Sequence, residues 1–312
     1  MSRCCVPERI LIIKLSALGD FMQALGPMKA IRDYHKDAEI TLLTTPPFVA
    51  LARQTGWFKT IWDNGRAKGL SGLLALRTQI GGAQFDFVYD LQTSGRTNWL
   101  YQLLRPSPPR WSGVAWGCSH PHANPRRVAM HTVDRQAEQL LMAGIPTTPL
   151  SDLSFIAADV SRFALTVPYA LLVPGGAAHR PEKRWPLDAY KALAVQLATA
   201  GMTPVVLGGK DERALGEAIR AVCSRAINLA GETSIIELAV LGRGAALCVG
   251  NDTGPMHVLA YAGAPALALF GPASDPARCG QRGRKVQIIA VADLAKLSAG
   301  TVATESLKLA EM

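Results

Sequence analysis

A carboxylate, a lysine and a helix-opening turn are the features of this sequence that could carry chemistry. The carboxylate is Asp20, in Ser16-Ala17-Leu18-Gly19-Asp20, just after an apolar run over residues 9–14. Gly19 permits a tight turn, so Asp20 stands near a helix start. Two roles are open to it: a helix N-cap or a general base. The lysine is Lys183, in Arg180-Pro181-Glu182-Lys183-Arg184-Trp185-Pro186, downstream of the small run Pro174-Gly175-Gly176-Ala177-Ala178. Gly175 and Gly176 let a backbone approach a ligand closely. Lys183 or Arg184 then neutralises a phosphate, or the two are solvated cations beside a packed Trp185. The turn is Asn251-Asp252-Thr253-Gly254-Pro255-Met256-His257. Asp252 or Thr253 can cap the helix, Gly254 adds no bulk, and Pro255 fits a first helical turn, where its missing N–H costs nothing. The remaining N–H groups and the helix dipole suit a diphosphate. The other reading is a well-made helix start with no ligand and His257 as a packed histidine.

These pieces need strands to hold them. Apolar runs over residues 9–14, 39–43, 59–62 and 85–90 read as strands, with helices over 21–34, 69–80 and 96–104. A Pro-, Trp- and Arg-rich loop over 105–127 interrupts the pattern, and a helix follows over 132–143. The alternation restarts with strands over 169–173, 203–207 and 246–250 and a final strand over 266–270. Helices fall over 187–200, 211–222, 233–241 and 255–261, and the closing stretch 292–312 reads as helical. Strand–helix alternation predicts parallel sheets flanked by helices. The restart predicts two α/β, doubly wound domains facing a cleft, 1–160 and 161–312, with the last helix free to pack back on either domain, the first included. Ligands of such sheets bind beyond the carboxyl ends of the strands, where Asp20, Lys183 and the turn at 252–257 fall.

Composition narrows the class. The chain has 312 residues, 49% hydrophobic and 18% charged, enough for two cores. No apolar window reaches the ~18 residues of a membrane span, and no signal-peptide pattern opens the chain, so a cytoplasmic protein is expected. Six cysteines lack C-x-x-C spacing and do not interleave with the histidines, which argues against a disulfide framework or a zinc site. The net charge of +9 favours anionic partners. Nucleic acid is excluded as the main partner by the lack of any helix-turn-helix, zinc or RNA-binding signature. No G-x-G-x-x-G follows the first strand, so a nicotinamide site is not expected. No D-x-D pair stands where a metal could hold a diphosphate.

Five pieces in order resemble glycosyltransferase family 9, the ADP-heptose:lipopolysaccharide heptosyltransferases. They are I-L-I-I-K-L-S-A-L-G-D at 10–20, F-D-F-V-Y-D-L-Q at 85–92, K-R-W-P at 183–186, G-N-D-T-G-P-M-H at 250–257 and L-F-G-P at 269–272. The resemblance implies a GT-B fold with an N-terminal acceptor domain and a C-terminal donor domain. It implies an inverting, metal-independent transfer from a nucleotide sugar, without a cofactor. It implies Asp20 as the base and Lys183 at the donor phosphate. Asp252 would meet sugar hydroxyls, while Thr253, Gly254, Pro255, Met256 and His257 line the diphosphate with Gly175 and Gly176. The acceptor would be a lipid-linked glycan, met by Arg126 and Arg127, with peripheral contact at the inner membrane. The stretch G-G-A-A-H-R-P-E before Lys183 departs from the hydroxyl residues common in the family. Another nucleotide-sugar donor, a related epimerase and a non-catalytic sugar-nucleotide module remain as alternatives.

Overall fold

The computed structural model describes residues 7–176 and 180–311. Ala177, Ala178 and His179 of the glycine-rich stretch lie outside the described residues, as do Cys4 and Cys5. The chain divides into two compact units, Met1–Ser151 and Asp152–Met312. The division falls before residue 160 because the intervening segment is bonded into the second unit. Arg243 donates to the carbonyls of Leu153 and Ile156, and Leu153 N–H donates to Tyr261 O.

The first unit runs β1 (Arg9–Ile13), α1 (Leu18–Tyr34), β2 (Glu39–Leu43), α2 (Pro46–Thr55), β3 (Thr60–Trp62), α3 (Gly69–Ala83), β4 (Phe87–Asp90), α4 (Gly95–Leu103), β5 (Arg110–Gly113), β6 (His120–Pro121) and α5 (Thr132–Met142). Its sheet has the order β3-β2-β1-β4-β5-β6, and every pair is parallel. A parallel strand covered on both faces must be apolar throughout, which is why β1 reads Arg-Ile-Leu-Ile-Ile with its last four residues buried.

The second unit runs β7 (Tyr169–Val173), α6 (Leu187–Thr199), β8 (Thr203–Val206), α7 (Arg213–Arg220), β9 (Ile227–Asn228), α8 (Ile235–Gly244), β10 (Leu247–Asn251), α9 (Gly254–Tyr261), β11 (Ala266–Phe270), α10 (Pro276–Cys279), β12 (Val286–Ala290) and α11 (Ala299–Glu311). Its order, β12-β11-β10-β7-β8-β9, repeats that of the first sheet, again all parallel. Each sheet therefore reverses direction between its first and fourth strands, β1/β4 and β7/β10. That switch point is where doubly wound sheets receive ligands.

Two expectations are corrected, and the place of the last helix is found. The 105–127 loop contains β5 and β6. The strand 266–270 is followed by another, β12. The last helix, α11, packs in its own unit: Val302, Ala303 and Leu309 join a core with Leu193, Leu197, Val249 and Leu267. The spacing of Val302 and Leu309 puts both on one helical face, and α6 is the element beneath it.

Helix α1 carries a local repair. Pro27 lies inside it, and a proline ring crowds the carbonyl four residues earlier. One residue before it, the Ser151 hydroxyl enters the ladder. Gly26 N–H donates to Ser151 Oγ (3.0 Å), and Ser151 Oγ donates to Met22 O (2.6 Å). Only a glycine fits there, since a Cβ on Gly26 would lie 2.1 Å from Pro149 O.

Candidate active-site turns

In the first unit the chain leaves β1 through Lys14 and enters α1 at Ala17, the cap position. Asp20 is the third residue of the helix and not its cap. One carboxylate oxygen accepts the Ala17 N–H (3.2 Å), the reach-back half of a capping box. Among the described residues, the other oxygen accepts no hydrogen bond. The turn is held from the side by Gln92, whose Oε1 accepts the N–H groups of Leu15 (2.9 Å) and Ser16 (3.2 Å). Arg66 donates to the Ser16 hydroxyl.

Beneath this turn lie two buried charges. Lys14 Nζ donates to Leu91 O (3.1 Å). Burial lowers its pKa to about 8, against the pull of Asp20 and Asp90, with Arg135 adding to the lowering. Asp90 ends β4 fully buried. Its Oδ1 accepts the N–H groups of Gln92 (3.1 Å) and Thr93 (2.9 Å), while Oδ2 has no partner among the described residues. Burial pushes its pKa up to about 6, against the nearby Thr97 hydroxyl, the Thr93 and Gln92 N–H groups and Lys14. Arg127 reaches the same strand end. It donates from Nε to His122 Nδ1 (3.2 Å) and from Nη2 to Thr93 Oγ1 (3.3 Å). His122 also meets Glu138 (2.7 Å). Arg126 is exposed. A cavity of about 440 Å³ opens beside the turn, lined by Leu15, Gln92 and the cations Arg66, Lys68 and Arg96.

In the second unit the anion turn follows β10. Thr253 is the cap residue of α9, yet its hydroxyl caps nothing and has no partner among the described residues. The helix start is therefore left with open donors, the condition that suits an anion. Pro255 sits in the first turn as expected. Met256 gives the site only its backbone, because its side chain is buried under Gly250, where a Cβ would lie 2.6 Å from its sulfur. His257 is buried as well.

Lys183 and Asp252 meet directly, Nζ to Oδ2 at 2.7 Å, and both are shielded from solvent. Gln281 Nε2 donates to Asp252 Oδ1 (3.3 Å). Gly175 leaves room for the Glu212 carboxylate, since a Cβ there would lie 1.8 Å from its Oε1 and displace it. Glu212 accepts the N–H groups of Gly176 (2.7 Å) and Gly209 (2.7 Å), clasping the ends of β7 and β8. Arg184 Nη2 donates to Gly176 O.

Sequence reading passed over two residues here. Asn251 is fully buried and joins three segments. Its Oδ1 accepts Trp185 N–H (2.9 Å) and Tyr190 O–H (3.1 Å), and its Nδ2 donates to Pro174 O (2.9 Å) and Gly175 O (3.0 Å). The signal was its adjacency to Asp252 at the end of an apolar strand, where a polar side chain has no ordinary reason to be buried. Glu212 gave no signal, because its partners are backbone N–H groups, one of them on a segment 36 residues away.

Buried polar atoms without partners gather around this turn: Arg184 Nε, Thr253 Oγ1, Ser274 Oγ and Gln281 Oε1 among the described residues. Such atoms are rare in folded proteins, and Gln281 and Thr253 stand directly at this turn. Also among the described residues, no group of three or more His, Cys, Asp or Glu is placed to hold a metal.

The model of glycosyltransferase family 9 (heptosyltransferase) matches residues 73–306. The chain belongs to that family. Lipopolysaccharide core heptosyltransferase OpsX of Haemophilus influenzae is 24% identical over 294 residues, covering 85% of this chain and 79% of that protein. Lipopolysaccharide heptosyltransferase 2 of Salmonella typhimurium is 40% identical over 104 residues, which spans 32% of this chain and 30% of that protein. Among solved structures, a family 9 glycosyltransferase from Veillonella parvula superposes with a TM-score of 0.83 at 20% identity, covering 97% of both chains. The ADP-heptose heptosyltransferase II of E. coli superposes at 0.80 and 22%, covering 97% of this chain and 98% of that one. The two structural likenesses extend over nearly the whole of each chain, and the fold is the expected GT-B class.

Proposed function

We propose that this chain is an inverting glycosyltransferase. It moves a heptose-like sugar from an ADP-sugar to a lipopolysaccharide core or related glycan. The observation that carries the reading is the pair of strand-end turns: a carboxylate with one uncommitted oxygen after β1, and an open helix start beside a lysine after β10. The relatives named for ADP-heptose and for lipopolysaccharide heptosyl transfer support the donor and the acceptor class.

The division of labour follows. The first unit binds the acceptor, and Asp20 takes the proton from its hydroxyl. That oxygen forms a bond to the anomeric carbon as the bond to the diphosphate breaks, so one displacement inverts the centre. Negative charge grows on the departing ADP. The open N–H groups of α9 and the Lys183 ammonium stabilise it, which supplies at the diphosphate the positive charge a metal would otherwise bring. Lys183 has three donors and can keep Asp252 while meeting a phosphate. Asp252 is left to accept from sugar hydroxyls. Glu212 follows the second strand of its sheet, where a carboxylate suits ribose hydroxyls. Thr253, Gly254, Pro255, Met256, His257, Gly175 and Gly176 line the diphosphate. On the acceptor side, Arg126, Arg127 and the cavity cations Arg66, Lys68 and Arg96 suit phosphates and carboxylates of a glycan. The site of action is the cytoplasmic face of the inner membrane. No described helix is long and apolar enough to cross a membrane.

Calorimetry with ADP, UDP, GDP and CDP, with and without magnesium, tests the donor. ADP alone should bind, with the same affinity in both conditions. Preference for another nucleotide moves the enzyme to a different donor. Asp20→Asn should lose transfer by about a hundredfold or more while keeping ADP affinity, and unchanged turnover removes it as base. Lys183→Ala should weaken ADP binding, and equal affinity removes it from the diphosphate.

A further inference from the structure

The first unit carries an exposed apolar and cationic surface that none of the turns uses. Trp116 is 79% exposed, Leu70 69%, Trp99 68% and Leu74 43%. They form one surface. Leu70, Leu74 and Arg77 lie on one stripe of α3 at helical spacing. Arg77 Nε donates to Leu103 O on α4 (2.7 Å), and Leu103 lies one turn beyond Trp99. Gln102, also on α4, donates to Trp116 O (2.8 Å). Arg105 lies over the Trp116 ring, 5.2 Å from its centroid.

The charge around this surface is one-sided. Between residues 64 and 133 there are eight arginines and lysines and two carboxylates, Asp86 and Asp90. Asp90 is buried, and residues 91–133 contain no acidic side chain at all. Arg110 is paired with Glu8 (2.8 Å), and Arg77 and Arg105 lie on this face itself, at Leu103 and over Trp116.

We propose that this α3–α4 face, with Trp99, Trp116, Leu70 and Leu74 at its centre, docks the protein on an anionic phospholipid surface. Indole rings settle at the boundary between headgroups and acyl chains, with an apolar body and a polar N–H. Leucines beside them add buried apolar area, and surrounding cations add attraction to acidic headgroups. Nucleic acid would reward the cations and the rings but gives the exposed leucines nothing. The inference deepens the proposed function, because a lipid-linked acceptor is presented at such a surface. It stands on its own observations, and its test involves neither donor nor acceptor.

The test is sedimentation of the full chain with phosphatidylglycerol-rich vesicles that contain no glycan, against phosphatidylcholine vesicles. Binding to the anionic vesicles is expected, falling as salt is raised, with a blue shift in tryptophan emission. The double variant Trp99→Ser, Trp116→Ser should lose about tenfold or more of that partitioning while its ADP affinity stays that of the native chain. A native-like far-UV circular dichroism spectrum and unfolding midpoint show that the first unit of the variant folds, and unchanged ADP affinity shows that the donor site is intact. Equal vesicle binding by the variant, or no binding by the native chain, overturns the proposal. So does a native dimer in sedimentation velocity that the variant converts to a monomer, because the face is then an interface between copies.

Discussion

Asp90 and Lys14 lie beneath the turn that carries Asp20, closed off from solvent. Both are buried at the ends of adjacent strands, and burial moves each toward its neutral form. The sign for Asp90 is definite. Its folded pKa lies above that of an unfolded aspartate. Between about pH 4 and 6 the folded state holds the extra proton, and stability falls as pH rises through that window. Asp90→Asn removes the titration and lets an amide occupy the side where Oδ2 has no partner. Relative to the native chain, the variant should therefore gain stability between pH 4.5 and 7.5, by on the order of 2–3 kcal/mol. Thermal unfolding at the two pH values measures it, and a constant difference between the two proteins would show that Asp90 does not titrate there. Asp20 was legible in the sequence because it follows a strand and a glycine, but its position was not: the cap is Ala17, and Asp20 reaches back from within the helix. Asn251 had only its place at the end of an apolar strand to mark it, because its partners Trp185, Tyr190, Pro174 and Gly175 come from segments that meet it only in the folded sheet.

At the scale of elements, the strands buried on both faces were readable. Residues 39–43, 169–173 and 266–270 match β2, β7 and β11 end to end, since an apolar run bounded by turn residues leaves little choice. The edge elements were not readable. β5 is Arg-Trp-Ser-Gly and β6 has two residues, so neither carries a periodic signal. β12 follows Arg282, Arg284 and Lys285, and its residues are only partly buried. Helix α2 opens on two prolines, Pro46 and Pro47, which look like a loop but suit a helix's first turn. Its place is fixed by Phe48 stacking on Phe21 of α1, 4.2 Å between centroids. Sequence also could not show that a serine 125 residues away bridges the α1 ladder. Ser151→Ala should strand Gly26 N–H and Met22 O in the interior and cost about 1–3 kcal/mol. Denaturant unfolding checks this. A loss within a few tenths of a kcal/mol would mean that the two backbone groups re-form their own bond when the hydroxyl leaves.

At the scale of the molecule, one topology is used twice, and the two copies differ in what they place at the switch point. The β1/β4 end carries carboxylates, a buried lysine and a rim of arginines. The β7/β10 end carries a glycine turn, a lysine–aspartate pair and an open helix start. If the second copy binds the nucleotide by itself, ADP should act on that unit alone. Hydrogen exchange on the full chain reads this directly. With ADP, amides at 175–176, 209–212 and 253–256 should slow, because their N–H groups or their neighbours face the diphosphate and ribose. Amides at 14–20 and 91–94 should be unchanged, because nothing in that unit has gained a ligand. They should slow only when an acceptor glycan is added. Protection of 14–20 by ADP alone, with 253–256 unaffected, would reverse the assignment of donor and acceptor units and remove the basis for Asp20 as the base. The first pattern would leave Asp20 as an acceptor-side carboxylate, the place from which a proton on the attacking hydroxyl can be taken.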